Sequence, residues 1–396
     1  MRRRILFFAI ILVFMGATAQ VEAESYEYRT SISTWMWNTP TIMREPDEVL
    51  QDLKAKHVQK LYLQVNRDVP EYYYKSFIKK ASQQGIDVYA LGGSTKWLKR
   101  GDQRLPLFKE WVIEYQKEAN KTEQFDGFHL DIEPHAADGW DTDQQEMILR
   151  FQKIIADFKL LANELQLPLE LDQPFWFDSV NYDNESFGKG ILSEWVIQQV
   201  DGVTLLAYRN FSEGNNGINK LVEKEMAYAE QVDRKVEVAI ETKRTGLDYL
   251  SFYGFTQKDI DQVFAEVSTQ YESYPSFNGF AVHRFESWRP FGRSTVNLEE
   301  EAWKLYKAKE NVNRDHNWTI QFNTAIDPTY TKIYVENSEG IVVDTRIKMS
   351  SENVLHVEAP VEGYQKGEAY TLYIEEIRSR GGKSLSGKLF MPFYVE

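Results

Sequence analysis

The chain has 396 residues, a formal net charge of −14 at pH 7 and no cysteine. The absence of cysteine excludes disulfides and thiolate metal sites, and the acidic balance disfavours nucleic acid and anionic membranes as partners. Aromatic residues make up 14% of the chain, with 10 Trp and 22 Tyr, which serve either a packed core or platforms for sugar rings.

The N-terminus has the pattern of a secretory signal peptide over residues 1–24. Arginines at positions 2–4 precede an apolar run from Ile5 to Met15, and small residues follow up to Ala23. The run is short for a membrane-spanning helix, which favours a cleaved signal over a retained anchor. We therefore expect a secreted protein, extracellular or associated with the cell surface, without an integral membrane segment after cleavage.

Residues 25–312 alternate β-rich runs with segments of helical periodicity. The predicted strands are 28–37, 58–66, 87–92, 125–133, 167–175, 201–208, 235–242 and 277–285. The predicted helices are 46–57, 70–84, 105–122, 142–166, 192–199, 217–232, 256–273 and 297–310. Eight such repeats predict a closed (β/α)8 TIM barrel, an α/β fold, rather than an open doubly wound sheet. No glycine-rich phosphate loop follows the first strand, and no cofactor is predicted.

The fourth predicted strand carries a cluster of ionisable residues in the segment DGFHLDIE, Asp126–Glu133. Strand alternation directs its apolar residues towards the helices and His129, Asp131 and Glu133 into the barrel. Burying such groups is costly unless they pair or protonate, so a functional site is favoured over a structural ion-pair network. Crowding raises the pKa of one carboxyl group, and Glu133, nearest the C-terminal end of the barrel, is the candidate general acid.

This segment resembles the strand-four signature of the family 18 chitinases and their relatives, Asp-Gly-hydrophobic-Asp-hydrophobic-Asp-x-Glu. His129 stands where that family usually has Asp or Asn. The resemblance implies that Glu133 protonates the glycosidic oxygen and that Asp131 orients the N-acetyl group of the substrate, which serves as the nucleophile. Asp126 and His129, the other polar members of the segment, are expected among the substrate-binding residues.

Strands six and seven suggest two different catalytic partners for Glu133. Strand six ends in LLAYR, which is similar to the chitinase Met-x-Tyr-Asp element with Tyr208 retained and Arg209 in place of Asp. Tyr208 is thus expected to help hold the acetamido group, with ordinary barrel packing as the alternative. Strand seven directs Glu241 to the same end, where it would be the nucleophile of a two-carboxylate retaining mechanism, with carboxyl groups about 5 to 5.5 Å apart. A substrate contact or a structural ion pair remains open for Glu241.

Other strands contribute inward polar residues near the same end, namely Asn66 on strand two, Asp172 on strand five and His283 on strand eight. These are expected to bind substrate, although each is also typical of a satisfied core residue. His129, Asp131 and Asp172 are a conceivable metal site for a deacetylase-type reaction. Their spacing matches no standard ligand motif, and no metal is predicted.

Six of the tryptophans fall at or just after predicted C-terminal strand ends, where random placement would not concentrate them. Tryptophan faces stack on the apolar surfaces of sugar rings. Trp35, Trp176 and Trp288 are therefore predicted to bind substrate. The resemblance to chitinase-like barrels further implies that Trp288 forms the floor of the subsite beside the acid.

After residue 312 the helical periodicity ends, and short strands are predicted at Trp318–Phe322, Lys332–Val335, Val354–Val357 and Tyr370–Ile374. This pattern predicts a small β-sandwich over residues 313–396. The stretches FNTAIDP and YTLYIEEIRSRGGKSLSG resemble Ig-like modules common in bacterial cell-surface proteins. The resemblance implies that this region spaces the barrel or docks it on the cell envelope.

Two classes of function are compatible with these features. The first is a glycoside hydrolase that cleaves an extracellular or cell-wall polysaccharide, with Glu133 as general acid/base. The second is a non-catalytic carbohydrate-binding or cell-surface interaction protein built on a glycosidase-derived barrel. The presence of Glu133 favours the enzyme, because lectin-like descendants of such barrels usually lose the acid. In both cases the predicted partner is a glycan.

Overall fold

The N-terminal part of the structure, a computed structural model, is a closed barrel. The structure describes residues 30–291, 303–338, 340–384 and 388–396, so the predicted signal peptide over residues 1–24 lies outside the described residues. The first ten strands are β1 (Ser31–Met36), β2 (Lys60–Gln64), β3 (Asp87–Gly92), β4 (Gly127–Leu130), β5 (Leu169–Pro174), β6 (Asn181–Asn184), β7 (Gly188–Ile191), β8 (Gly202–Leu206), β9 (Lys235–Glu241) and β10 (Phe277–His283). Strands β1–β5 and β8–β10 pair in parallel around the barrel, and β6 and β7 form an antiparallel hairpin.

Helices surround this barrel. In the described residues they are α1 (Thr41–Arg44), α2 (Pro46–Ala55), α3 (Glu71–Gln83), α4 (Arg104–Glu118), α5 (Gln144–Leu165), α6 (Leu192–Gln199), α7 (Ile218–Leu221), α8 (Glu223–Gln231), α9 (Gln257–Tyr271) and α10 (Phe285–Trp288). The predicted (β/α)8 fold is confirmed, because every observed barrel strand lies within a predicted one. The hairpin was not predicted, since its short polar strands carry no hydrophobic alternation.

The C-terminal region contains only strands among its described residues. They are β11 (Lys304–Leu305), β12 (Lys309–Val312), β13 (Trp318–Gln321), β14 (Ile326–Asn337), β15 (Val342–Val343), β16 (Arg346–Ser351), β17 (Val354–Glu358), β18 (Ala369–Ser379) and β19 (Leu389–Val395). One sheet contains β11, β12, β14, β15, β18 and β19, and a second contains β13, β16 and β17. Residues of both sheets, such as Val335 and Val357, share one hydrophobic cluster.

The prediction of an eighth helix over residues 297–310 is wrong in the part of that range that the structure describes. Residues 292–302 lie outside the described part, and the remainder contains β11 and β12, which both pair in parallel with β19. The local sequence has helical periodicity, but pairing with the edge of an existing sheet satisfies the backbone and overrides that preference. The chain therefore joins the C-terminal sheet before residue 313.

Two hydrophobic layers leave one end of the barrel polar. The outer layer lies between strands and helices and includes Phe128, Leu130 and Ile132, as alternation predicted. The inner layer fills the barrel with Trp35, Tyr62 and other side chains. The C-terminal ends of the barrel strands, hereafter the mouth, carry the polar residues discussed next.

Candidate active site

The site is centred on the end of β4. His129 is the last inward residue of this strand and is fully buried, whereas Asp131 and Glu133 follow it at the mouth and are half-buried. The amide of Asp131 donates to the carbonyl of Gly92 at 2.9 Å, which fixes the chain beside the end of β3. The three ionisable residues therefore lie in the predicted order from the interior to the opening.

The surroundings raise the pKa of both carboxyl groups at the mouth. Burial raises the pKa of Asp131 well above its usual value, and the negative charges of Asp172 and Glu133 add to the effect. Burial and Asp172 also raise the pKa of Glu133, while His283 lowers it. The Glu133 side chain is 42% exposed, so a ligand in the mouth can reach it. A raised pKa together with access is what a general acid requires.

Glu133 is not neutralised by a strong cation. In the described part of the chain no Arg or Lys forms an ion pair with it, and its nearest basic group is His135 Nε2, 3.8 Å from Oε1. Burial lowers the pKa of His135, which disfavours a positive charge on that imidazole beside Glu133. Glu133 is thus free to gain and lose a proton.

His129 links the mouth to the barrel interior. Its Nε2 donates to Asp172 Oδ1 at 2.8 Å, and its Nδ1 lies 3.6 Å from Glu170 Oε2. Burial lowers the pKa of His129, but Asp172 and Glu170 raise it more, to about 9. The ring also stacks on Tyr62 with centroids 3.5 Å apart. His129 is therefore a buried cation between two carboxylates and not a ligand-facing group.

A charged layer that the sequence analysis missed lies below His129. Lys60 Nζ contacts Glu170 at 2.6 Å and Glu237 at 3.2 Å, and Tyr62 and Ser33 donate to Glu237 at 2.5 and 2.6 Å. Burial lowers the pKa of Lys60, but the two carboxylates raise it more, so the ammonium stays charged. Alternation along β2 would have placed Lys60 and Tyr62 inside, so the signal was present in the sequence.

Glu241 occupies the mouth but is engaged by its surroundings. Its Oε1 accepts the backbone amides of Thr242 and Lys243 at 2.8 and 2.7 Å, and its Oε2 accepts from His283 Nδ1 at 2.8 Å. His283 Nε2 in turn accepts from the indole of Trp37 at 3.3 Å. Both oxygens of Glu241 are thus directed at protein donors, an arrangement that fits an orienting role better than a nucleophile.

Tyr208 faces the same carboxylates, whereas its neighbour turns away. Burial raises the pKa of Tyr208 well above its usual value, and Asp172 and Glu241 add to this, so the phenol remains a donor. Arg209 donates to the Asn216 carbonyl at 3.1 Å, to its side-chain oxygen at 2.8 Å and to the Tyr208 carbonyl at 2.7 Å. The Arg209 guanidinium is therefore held by its own loop.

The three predicted sugar-stacking tryptophans have different positions. Trp35 is 1% exposed inside the barrel, where its indole donates to Asp172 at 3.0 Å. Trp288 is also 1% exposed and donates to Gln257 at 2.9 Å, so it does not form the floor of a subsite. Both predictions of direct sugar stacking were wrong, because a tryptophan near a strand end can turn into the core. Trp176 is partly exposed, with its ring 5.2 Å from that of His135.

Two further predicted residues, Asp126 and Asn66, lie at opposite ends of the barrel. Asp126 precedes β4 at the opposite end from the mouth, where its carboxylate accepts the amide of Val88 at 2.8 Å. The structure therefore does not bring Asp126 to the site, because a residue before a parallel strand lies at its N-terminal edge. Asn66 lies at the mouth, where with Trp37 and others it lines a groove of about 640 Å³.

Neither a metal centre nor a membrane helix is present in the described residues. Within residues 30–291 and the described C-terminal ranges, no three His, Cys, Asp or Glu side chains are grouped to hold a metal ion. Over the same ranges, no helix combines the length and the apolar character needed to cross a bilayer.

Comparisons with known proteins give structural neighbours only. No protein-family model matches the sequence, and no curated protein matches it. A Group IV chitinase from Ostrinia furnacalis, solved with allosamidin, has a TM-score of 0.44 at 11% identity, covering 68% of this chain and 96% of the neighbour. A GH18 chitinase from Cycas revoluta, solved with (GlcNAc)3, has a TM-score of 0.41 at 12% identity. The match covers 66% of this chain and 96% of that chitinase. Catalytic domain 2 of the Ostrinia furnacalis Group II chitinase has a TM-score of 0.35 at 13% identity, and the match spans 54% of this chain and 64% of that domain.

Proposed function

We propose that this protein is a secreted glycoside hydrolase that cleaves an extracellular or cell-wall polysaccharide, with Glu133 as general acid/base. One observation carries the proposal. Glu133 lies at the mouth of the barrel with an exposed carboxyl group, a raised pKa and no lysine or arginine partner among the described residues. These are the properties of an acid that must donate a proton to a bound ligand near neutral pH.

The proposed reaction begins with protonation of the bridging oxygen by Glu133. The C1–O bond breaks as the leaving sugar takes this proton, and the carboxylate then removes a proton from the water that attacks C1. Because its pKa is raised, Glu133 holds the donated proton to a higher pH than an ordinary glutamic acid.

A substrate-assisted mechanism fits the contacts better than a protein nucleophile. In this mechanism the oxygen of the substrate's 2-acetamido group attacks C1. Asp131 holds the acetamido group in position, and Tyr208 donates a hydrogen bond to the substrate. The Asp131 carboxyl group can accept the N–H of the acetamido group, and the raised pKa of Tyr208 keeps its phenol a hydrogen-bond donor. Glu241, engaged by two amides and His283, would instead fix the position of that histidine.

The first prediction concerns Glu133→Gln, which removes the transferable proton while keeping the shape of the side chain. We expect hydrolysis in a screen of polysaccharides and 2-acetamido oligosaccharides to fall on the order of 10²–10⁴-fold, with binding retained. The matched control is Glu164→Gln on the exposed face of α5, which should keep full activity.

The same screen decides between the two classes of function. One observation favours a binding protein: His129 and Arg209 depart from the chitinase pattern that this sequence resembles. If wild type and Glu133→Gln bind a glycan equally and neither hydrolyses it, the binding protein is correct and the hydrolase is not.

Export and envelope association are also part of the proposal. The pattern of residues 1–24 supports secretion, and the strand pattern and stretches similar to Ig-like modules support a C-terminal module over about residues 313–396. Such a module would dock the barrel on the cell envelope near its polymeric substrate.

A further inference from the structure

A groove beside the active site has a charge unlike that of the whole chain. It has a volume of about 640 Å³ and lies at the ends of β1, β2 and β3. Its wall includes Trp37, whose indole donates to His283 in the mouth, and Gly93, whose backbone lies directly against that of Asp131. The groove is therefore continuous with the candidate catalytic residues.

Three cationic side chains line this groove, namely Arg67, Arg104 and Lys307, whereas Asp68 is the one carboxylate among the residues that line it. Arg104 pairs with Asp102 at 2.9 Å. Arg67 and Lys307 are exposed, and within the described residues neither forms an ion pair with a carboxylate. In a chain with 60 acidic and 46 basic residues, two such unpaired cations facing one groove are a local departure from the overall charge.

We propose that this groove binds an anionic group of the glycan, a carboxylate or a phosphate, and that the substrate is an acidic polysaccharide. The inference rests on the proposed function, because it names the substrate class of the same site. Arginine and lysine donate charge-assisted hydrogen bonds to both kinds of anion, and the arginine fork matches them with two parallel bonds. Long-range repulsion by the acidic protein is screened within about 8 Å at physiological ionic strength, so the local cations dominate in the groove.

Lys307 gives the C-terminal region a part in this site. It lies between β11 and β12, which both pair with β19, so the C-terminal sheet holds this residue over the barrel. Substrate selection would therefore depend on both the barrel and the module that follows it.

The test compares affinities of the full chain for charged and neutral oligosaccharides, with hydrolysis followed in the same samples. The probes are a hyaluronan hexasaccharide for the carboxylate, a glycerol phosphate hexamer for the phosphate, and chitohexaose as the neutral sugar. We expect one anionic probe to bind at least about tenfold more tightly than chitohexaose, with affinity falling as salt is added. Arg67→Gln combined with Lys307→Gln should weaken the affinity for that anionic probe about tenfold. The affinity for chitohexaose should change less than about twofold.

The control is Lys117→Gln combined with Lys121→Gln, which removes two exposed cations from the opposite end of the barrel and should leave every affinity unchanged. Equal affinity for neutral and charged sugars, no binding of any oligosaccharide, or no effect of the groove variant would overturn the proposal. Tighter binding of a single-stranded oligonucleotide would also overturn it, in favour of nucleic acid. Salt-dependent binding without hydrolysis would instead support the groove and contradict the hydrolase.

Discussion

At the scale of single residues, His129 controls the charge inside the barrel. The fully buried imidazole lies 2.8 Å from Asp172, and the carboxylates of Asp172 and Glu170 raise its pKa to about 9. A histidine in the unfolded chain has a pKa of about 6.5. The folded state therefore binds the extra proton between these values, so this contribution to stability is complete below pH 6.5 and is lost as the pH rises through 9.

We predict that wild type loses stability between pH 7 and pH 9 and that His129→Asn has a flatter profile over this range. The difference between the two profiles should be at most about 3 kcal/mol, which follows from the size of the pKa shift. Denaturant unfolding at several pH values measures it. The control is His57→Asn, at an exposed position whose φ of 56° suits asparagine. Parallel profiles for wild type and His129→Asn would contradict the assignment.

Residue direction in the strands could be predicted from the sequence, but side-chain rotation could not. Alternation correctly directed His129 inward on β4, and it would also have directed Lys60 inward on β2. The burial of Trp35 and Trp288 depends on tertiary partners, Asp172 and Gln257, which are distant in sequence. Asp126 was wrongly assigned to the site because the resemblance was followed, although its place at the start of the predicted strand, residues 125–133, already indicated the opposite end of the barrel.

At the scale of elements, the ends of β3 and β4 fit too closely to accept a side chain between them. Gly93 has a φ of 155°, and a Cβ added there would lie 1.9 Å from the carbonyl oxygen of Asp131. Relieving this overlap must move the segment that carries Asp131 and Glu133. The close approach of two backbones thus sets the position of the candidate catalytic residues.

We predict that Gly93→Ala lowers the free energy of unfolding by about 1 to 3 kcal/mol through overpacking and also reduces hydrolysis. The control is Gly85→Ala, where φ is 74° and no atom would lie within 4 Å of the new Cβ. This control isolates backbone strain, which costs roughly 1 to 2 kcal/mol. If both variants keep full activity, Gly93 does not position the site.

At the scale of the whole molecule, the barrel and the C-terminal sheet share a hydrophobic core. Phe390 on β19 is 1% exposed. It belongs to the same buried hydrophobic cluster as the outer layer between the barrel strands and the helices. The Arg44 guanidinium lies 4.8 Å from the ring centre of Trp303 and 5.7 Å from that of Phe390. Separating the two regions would expose these apolar surfaces to water, which couples their stabilities.

This coupling predicts that the chain unfolds in one cooperative transition. Phe390→Ala removes a side chain from the cluster shared with the barrel, and Phe393→Ala removes an identical one from the cluster confined to the C-terminal sheets. Each should cost about 3 to 5 kcal/mol, because both rings are buried. If the regions unfold together, both substitutions lower the midpoint of the same transition in calorimetry. Two transitions, of which Phe393→Ala moves only one, would show that the C-terminal sheets fold independently. In that case Lys307 would be carried by a separately folding unit, and docking of that unit would become a condition for the anion-binding groove.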